Sequence, residues 1–518
     1  MKDPIDLVIP MTGIGKRFVD AGYETLKPLI QTGIGSMIQG VLKNYPTIHR
    51  PLFIVSRDHP QKHLAIEEIY SHRPEARICE IAPHKKGPSF AVWQTREHLR
   101  KEIPVVINYC DFGGIWDEGE LLDQITQQEG LLLTYTGFHP HMLRSTKFAY
   151  VRKESTGLVS EVREKQSFTD RPMTEEASSG TYGFLNKEIL LEAIYSQMTR
   201  DISLQGEFYT SLTYVPMLER KMNVRTMIID KFFQWGTPED LRDFQYWNHA
   251  SKRDVIKARR GMAFHSKSNA IVLAAGLGTR LSESGEPKAL IPIFSNPLWT
   301  YSARNLLQCR ERIVVTRDEL KSGIEKSNLF EFEIHALQVA TSGQAETALR
   351  GLEQLDDMTV PVHIASCDNM LFEVDVEEIE RLFDIFDVVV WTANNYAFAN
   401  TNPNQFSWIV SQNSHEFEVK NIFFKEANPP PRAEVFIGNI SFRSSAIAKN
   451  LIEKALIENR RETRGELYLD HIIMDALQDH RYRVAKYPCM KFSSIGTPLE
   501  LATARYWEEV YKLLERQQ

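Results

Sequence analysis

Short apolar runs recur along this chain, each closing on glycine or a charged residue, with stretches of helical spacing between them. In the first half, Asp6–Pro10, Pro51–Ser56, Ala76–Ile81 and Ile103–Tyr109 read as strands. The apolar positions of Asp6–Pro10 are continuous rather than alternating, which fits a parallel strand buried on both faces. Ser36–Asn44 reads as a helix, and Gly87-Pro88 opens another that runs through His98. This alternation predicts a sheet with crossover helices. Past residue 140 the pattern loosens: Lys147–Val151, Leu158–Glu164 and Gly180–Phe184 read as strands, and Asn186–Gln197 as a helix. Gly206-Glu207-Phe208-Tyr209 reads as the start of a further helix, and Val224–Ile229 as a strand. A last helix begins at Gly236-Thr237-Pro238, residues suited to a helix start, and runs through Tyr246-Trp247.

The second half repeats the landmarks of the first in order. Gly13, Gly15 and Arg17 recur at Gly276, Gly278 and Arg280, an offset of 263. Lys27 recurs at Lys288 (offset 261), Asp111 at Asp368 (257), Gly180 at Gly438 (258) and Glu207 at Glu466 (259). The pattern of 236–247 returns at 496–507 (260). Ordered recurrence with so little drift is read as the tandem duplication of a whole domain. A chain of 518 residues also exceeds what one hydrophobic core supports. The expected organisation is a domain at 1–249, a linker at 250–268 and a domain at 269–518. Lys252, Arg253, Lys257, Arg259, Arg260 and Lys267 make residues 248–268 polar and basic, the pattern of a solvated helical linker.

Composition narrows the class. With 42% hydrophobic and 25% charged residues the chain is ordinary globular material, and a net charge of −7 argues against nucleic acid as a partner. Cys79, Cys110, Cys309, Cys367 and Cys489 are scattered without a CxxC pair, which suits reduced thiols better than a disulfide framework or a zinc site. The apolar run near the N-terminus is too short for a signal peptide, and no run of about 18 apolar residues occurs. A cytoplasmic protein with no membrane partner is the expectation; a homo-oligomer stays open.

The chemistry concentrates where apolar runs break into glycine. Ile271–Ala275 leads straight into Gly276, Gly278 and Arg280, with Lys288 following, and the first half has the same arrangement at Gly13, Gly15, Arg17 and Lys27. Backbone amides around glycine approach a polyphosphate closely, and the cations neutralise it. A Walker loop requires GxxxxGK before Ser or Thr, which neither copy has; a dinucleotide fingerprint requires a third glycine where Phe18 and Leu281 stand. Asp111 follows a strongly apolar strand. At the carboxyl end of a strand in an open sheet it is either a Mg²⁺ ligand or a turn cap.

LAAGLGTRL at 273–281 with Pro287-Lys288-Ala289-Leu290 resembles the signature of the sugar-1-phosphate nucleotidyltransferases. The first half, through Gly13-Ile14-Gly15-Lys16-Arg17-Phe18, Gly22-Tyr23 and Lys27-Pro28-Leu29-Ile30, resembles a branch of that family from surface-polysaccharide pathways. The resemblance implies an α/β fold: two tandem Rossmann-like domains, each a mixed, mostly parallel sheet flanked by helices. It implies that Arg17, Lys27, Arg280 and Lys288 hold the triphosphate, and that Gly13, Gly15, Gly87, Ala275, Gly276, Gly278 and Gly343 line the nucleotide site. Asp111 and Asp368 become Mg²⁺ ligands, and Lys165 and Lys425 the cations for the acceptor's phosphate. Glu207 and Glu466, in GEFY and GELY, resemble the family's E-Y-Y motif near the sugar; a helix N-terminus that favours acidic residues is the other reading. Gln338, five residues before Gly343, matches the glutamine that reads a pyrimidine; its amide offers a donor and an acceptor. Before Gly87 the matching residue is Ala82, so the halves need not take the same nucleotide.

The departures are local. Gln234 and Ser494 stand before Trp235-Gly236-Thr237-Pro238 and Ile495-Gly496-Thr497-Pro498, where many family members carry a second metal-binding aspartate. Thr12, Lys16 and Leu26 also depart from the usual residues of the first loop. The implied reaction is attack by a phosphorylated sugar, or a related acceptor, on the α-phosphorus of an NTP, with Mg²⁺ and release of pyrophosphate. UTP or CTP is the expected donor in the second half. Two alternatives stand beside two active halves: one catalytic half with a ligand-binding or structural partner, and a glycosyltransferase of the same fold. Such glycosyltransferases usually carry a DxD motif, where this chain has CDF and CDN.

Overall fold

The computed structural model describes residues 3–252, 266–328, 330–394, 396–411, 417–458 and 466–516. They form two compact units, residues 1–249 with 509–518 and residues 250–508. Most of the linker reading falls on 253–265, outside the described residues.

In the first unit the strands are β1 (Asp6–Met11), β2 (Leu52–Ser56), β3 (Arg77–Ile81), β4 (Val105–Asn108), β5 (Phe112–Ile115), β6 (Gly130–Tyr135), β7 (Tyr150–Lys153), β8 (Val159–Arg163), β9 (Glu176–Phe184), β10 (Val224–Ile228) and β11 (Lys231–Gln234). The main sheet runs β3-β2-β1-β4-β9-β6-β10, with the β7–β8 hairpin attached to β9 and a separate β5–β11 pair. β9 alone on this path runs antiparallel to both its neighbours, β4 and β6. In the second unit the strands are β12 (Asn269–Ala274), β13 (Pro292–Ile293), β14 (Asn296–Pro297), β15 (Arg312–Arg317), β16 (Glu333–Leu337), β17 (Val362–Ser366), β18 (Asn369–Phe372), β19 (Val388–Ala393), β20 (Trp408–Ser411), β21 (Val419–Phe423), β22 (Glu434–Phe442), β23 (Val484–Pro488) and β24 (Lys491–Ser494). Its sheet runs β16-β15-β12-β17-β22-β19-β23, with β18 paired to β24. Strand for strand this is the first unit's order, so the duplication inferred from spacing is a duplication of topology.

The continuous apolar runs are buried on both faces, as a parallel strand under helices requires. Leu7 and Ile9 enter one core cluster of the first unit and Val8 the other; Phe53 and Val55 part in the same way from Leu52 and Ile54. Local chemistry sets the helix starts. Ser36 accepts from the Gln39 amide while the Gln39 side chain accepts from the Ser36 amide, a complete capping box, and Asn186 and Ser444 cap the helices Lys187–Thr199 and Ser445–Ile457.

One predicted element is wrong. Gly206-Glu207-Phe208-Tyr209 does not start a helix: Leu204 and Glu207 exchange both backbone hydrogen bonds across a two-residue turn, with Gln205 and Gly206 both at positive φ. That is the geometry of a primed hairpin turn, and the helical segment starts only at Thr210. In the second unit Glu466 likewise precedes the helix Leu469–Gln478. The reading of both glutamates as helix-start charges is therefore withdrawn.

Candidate functional site

Each glycine loop leaves the end of a central strand, β1 or β12. Gly13 and Gly276 are exposed, and a Cβ at either would meet nothing within 4 Å, so the backbone there is open to a ligand. The second glycine does something else. Gly15 and Gly278 hold φ of 64° and 63°, and a Cβ on either would lie 3.0 Å from the Cβ of Lys27 or Lys288. The left-handed backbone and the close approach together require glycine, and the contact fixes where each lysine begins. Ala275, buried directly after β12, has only its backbone to offer.

Both lysines reach the aspartates. Lys27 Nζ lies 2.6 Å from Asp111 Oδ2, and Lys288 Nζ donates to Asp368 Oδ2 in the same way. Residues expected to hold triphosphate and metal thus form one ion pair in each unit, at the carboxyl end of β4 or β17. Asp368 is the more constrained, since its Oδ1 also accepts from Ser366 Oγ. Burial pushes its carboxyl up, but the charge and hydrogen bond of Lys288 and the hydroxyl of Ser366 outweigh this, and the net shift is downward. Burial lowers Lys288 and Asp368 raises it, with the net upward. Beneath them lies a buried polar bed: Ser366 N donates to Asn439 Oδ1 (2.9 Å), Asn369 Nδ2 donates to the same oxygen (2.8 Å), and Ser302 Oγ donates to the Ser366 carbonyl (2.6 Å). In the first unit Tyr109 stands in place of Ser366 and turns to Thr210 (3.1 Å), so among the described residues Lys27 is the one side chain that donates to the Asp111 carboxylate. Arg17 and Arg280 are exposed.

A second pair of loops meets these. Gly87 and Gly343 precede the helices Pro88–Gln94 and Gln344–Leu352. A Cβ on Gly87 would lie 2.7 Å from Phe208 N, and one on Gly343 2.6 Å from the Leu467 carbonyl oxygen. Phe208 N donates to the Lys86 carbonyl (2.9 Å) and Leu467 N to that of Ser342 (3.1 Å). The GEFY and GELY segments are thereby laid across two helix N-termini. Gln338 is exposed immediately beyond β16, and Ala82 is exposed at the same place beyond β3.

The remaining cations form the third corner. Lys165 and Lys425 both sit at positive φ (56° and 44°). Lys165 Nζ lies 2.5 Å from Tyr209 Oη, and Lys425 Nζ lies 4.9 Å from the centre of the Tyr468 ring. Tyr468 Oη in turn donates to Glu466. Burial above all, then the carboxylates of Glu207 and Glu164, push the Tyr209 phenol up, while the charge of Arg17 pulls it down, so Arg17 lies within electrostatic reach of this corner. Tyr209 and Tyr468 were missed as site residues; the GEFY and GELY repeat was the available signal.

The departures from the family pattern lie beside the aspartates. β5 pairs with β11 so that Phe112 faces Gln234, and β18 with β24 so that Asn369 faces Ser494. In the second unit Glu500, also missed, accepts from the amides of Gly496 and Thr497 (2.9 Å each) and from Tyr396 Oη (2.6 Å). Its counterpart Asp240 pairs instead with Arg144 at 3.1 Å. No group of three or more His, Cys, Asp and Glu that could hold a metal occurs among the described residues. One carboxylate completed by phosphate oxygens is a donor set that Mg²⁺ accepts.

Two family models match. Residues 7–247 match the nucleotidyl transferase family, and residues 270–517 match the MobA-like NTP transferase domain. The chain belongs to the nucleotidyltransferases, as two such domains in tandem. Among solved structures it is similar to a nucleoside-diphosphate-sugar pyrophosphorylase from Vibrio cholerae RC9, at 19% identity over 46% of this chain and 99% of that one, with a TM-score of 0.39. A putative glucose-1-phosphate thymidylyltransferase from Bacillus anthracis matches at 14% identity over 51% and 98%, with a TM-score of 0.38. The inositol-1-phosphate CTP transferase of T. maritima matches at 10% over 46% and 93%, with a TM-score of 0.36. No curated protein matches. No described helix is long and apolar enough to cross a membrane.

Proposed function

We propose that each unit transfers a nucleotidyl group from an NTP to a phosphorylated sugar or related acceptor, releasing pyrophosphate. The observation that carries this is the recurrence, in both units, of an open glycine loop, a lysine seated on its second glycine and an aspartate paired with that lysine. In-line displacement by an ionised phosphate needs no general base; it needs two anions aligned and charge neutralised. Arg17 and Lys27, or Arg280 and Lys288, would hold the triphosphate and meet the charge growing on pyrophosphate. Lys165 or Lys425 would hold the acceptor's phosphate. Mg²⁺, when bound at Asp111 or Asp368, supplies further charge neutralisation on the phosphates. With a triphosphate in the site, Lys27 or Lys288 would exchange carboxylate for phosphate, a short change of partner for an ammonium on a flexible stem. The exposed Gln338 supports a pyrimidine donor, UTP or CTP, in the second unit. A role in precursors of surface polysaccharide belongs to the same reading.

The test is pyrophosphate release by the full chain with each NTP, Mg²⁺ and a panel of sugar phosphates and other phosphate monoesters. Release that requires both an NTP and an acceptor supports the reading. Transfer from a finished nucleotide-sugar without pyrophosphate would replace it with the glycosyltransferase alternative.

A further inference from the structure

In the second unit β15 lies between the two strands that lead into the nucleotide loops. Ala274 pairs with Thr316, and Arg317 with Leu337. Arg317 therefore ends its strand with Ala275 on one side and Leu337-Gln338 on the other. Side chains two apart on a strand share a face, and Val315 packs on the helix Gln344–Leu352, where a Cβ on Gly351 would lie 2.9 Å from Val315 Cγ2. Arg317 shares that face one pleat nearer the carboxyl end, the end at which the helix opens from Gly343. Its side chain is only 15% exposed. Nη1 donates to the exposed Glu319, which among the described residues is the guanidinium's one hydrogen bond. Nε is buried and has no partner. A buried N–H left without an acceptor is costly, and a guanidinium can do nothing but donate. The first unit builds the same floor without a cation: Met11 pairs with Val55 and Ser56 with Ile81, which sets the neutral, buried Ser56 between Thr12 and Ala82.

We propose that Arg317 reads the base of the NTP in the second unit. The side-on fork of Nε and Nη2 donates to an exocyclic carbonyl oxygen of the ring, while the amide of Gln338 reads the adjoining edge. The unit thereby selects a pyrimidine through its carbonyl and rejects adenine, which carries none. Ser56 cannot offer the same fork, so the first unit reads its base by other means. The inference deepens the transfer reading and rests on the glycine loop and Gln338 as the seat of the nucleotide.

Pyrophosphate release by the full chain in a Lys27→Ala background isolates the second unit. Arg317→Ser, which installs the first unit's residue, raises KM for the preferred pyrimidine NTP by roughly 10- to 100-fold, the loss expected for a hydrogen bond to a charged group. Arg317→Lys keeps the charge but not the fork, and gives a smaller rise. The preference for that NTP over ATP shrinks with it. The acceptor's KM and the inhibition constant of inorganic triphosphate, which has no base, stay within about two-fold. An NTP KM unmoved in both variants overturns the proposal, as does a loss of triphosphate inhibition equal to the rise in KM, which would make Arg317 a phosphate ligand. A melting temperature lowered alike by Arg317→Ser and Glu319→Gln, with the NTP KM unmoved, would leave Arg317 a structural ion pair. Absence of pyrophosphate release with any acceptor overturns the transfer reading itself. Calorimetric binding of UTP, CTP and ATP then still decides on Arg317, since equal dissociation constants in parent and variants overturn its role.

Discussion

Replacing Lys288 by alanine removes the proposed phosphate ligand and leaves Asp368 without the ammonium it pairs with. Release of pyrophosphate by the second unit is expected to fall by about 10²- to 10³-fold, the usual cost of losing one preorganised charge partner. The second unit's melting temperature should fall too, because the buried Asp368 carboxylate loses the charge of Lys288 that offsets its burial; an unchanged melting temperature would show that the pair carries no stability. Gly278→Ala tests the seat of that lysine. Its backbone is left-handed and its new Cβ would press on Lys288 Cβ at 3.0 Å, so a loss of about 1–2 kcal/mol is expected from the backbone alone, by chemical denaturation. The glycines, arginines and lysines were legible in the sequence because each loop is one local segment. The meeting of Lys288 with Asp368 spans 80 residues, and spacing alone does not show it. Ser366 and Glu500 were illegible for a related reason: a serine on an apolar strand and an acid near a helix start take their meaning only from the aspartate and the loop they touch.

At the scale of elements, Gly87 and Gly343, which open the helices Pro88–Gln94 and Gln344–Leu352, pack directly against the GEFY and GELY segments. Gly343→Ala would set a Cβ 2.6 Å from a backbone oxygen, where no rotamer change relieves the clash. Loss of several kcal/mol of stability in the second unit is the expectation, read by denaturant unfolding. Glu380 offers a pH test on the same unit. Burial pushes it up, but His363, Ser266 and Ser268 more than offset this and hold it at about 2, against an ordinary 4.5. A carboxylate with a depressed folded-state pKa contributes stability above the unfolded value, which is lost as pH falls from about 4.5 towards 2. Glu380→Gln should therefore lower the melting temperature near neutrality and flatten that acid limb. The buried parallel strands were readable because their apolar runs are continuous. The start at Gly206 was misread because a glycine followed by Glu and aromatics suits a primed turn as well as a helix start, and only the Leu204–Glu207 pairing decides it. Nothing local marked β5 and β11, short strands that find each other across the unit.

For the whole molecule, one nucleotidyltransferase domain occurs twice, and each copy keeps its own lysine–aspartate pair. The copies then diverged around it: a polar bed and Gln338 in the second, Tyr109 and Ala82 in the first. The most direct measurement is pyrophosphate release by the parent chain, Lys27→Ala, Lys288→Ala and the double variant, across the four NTPs and an acceptor panel. Each single variant is predicted to lose one set of donor and acceptor preferences and keep the other, and the double variant to lose both. Release by the double variant at the parental rate would contradict the account, because the transfer would then proceed without the pair on which it is built.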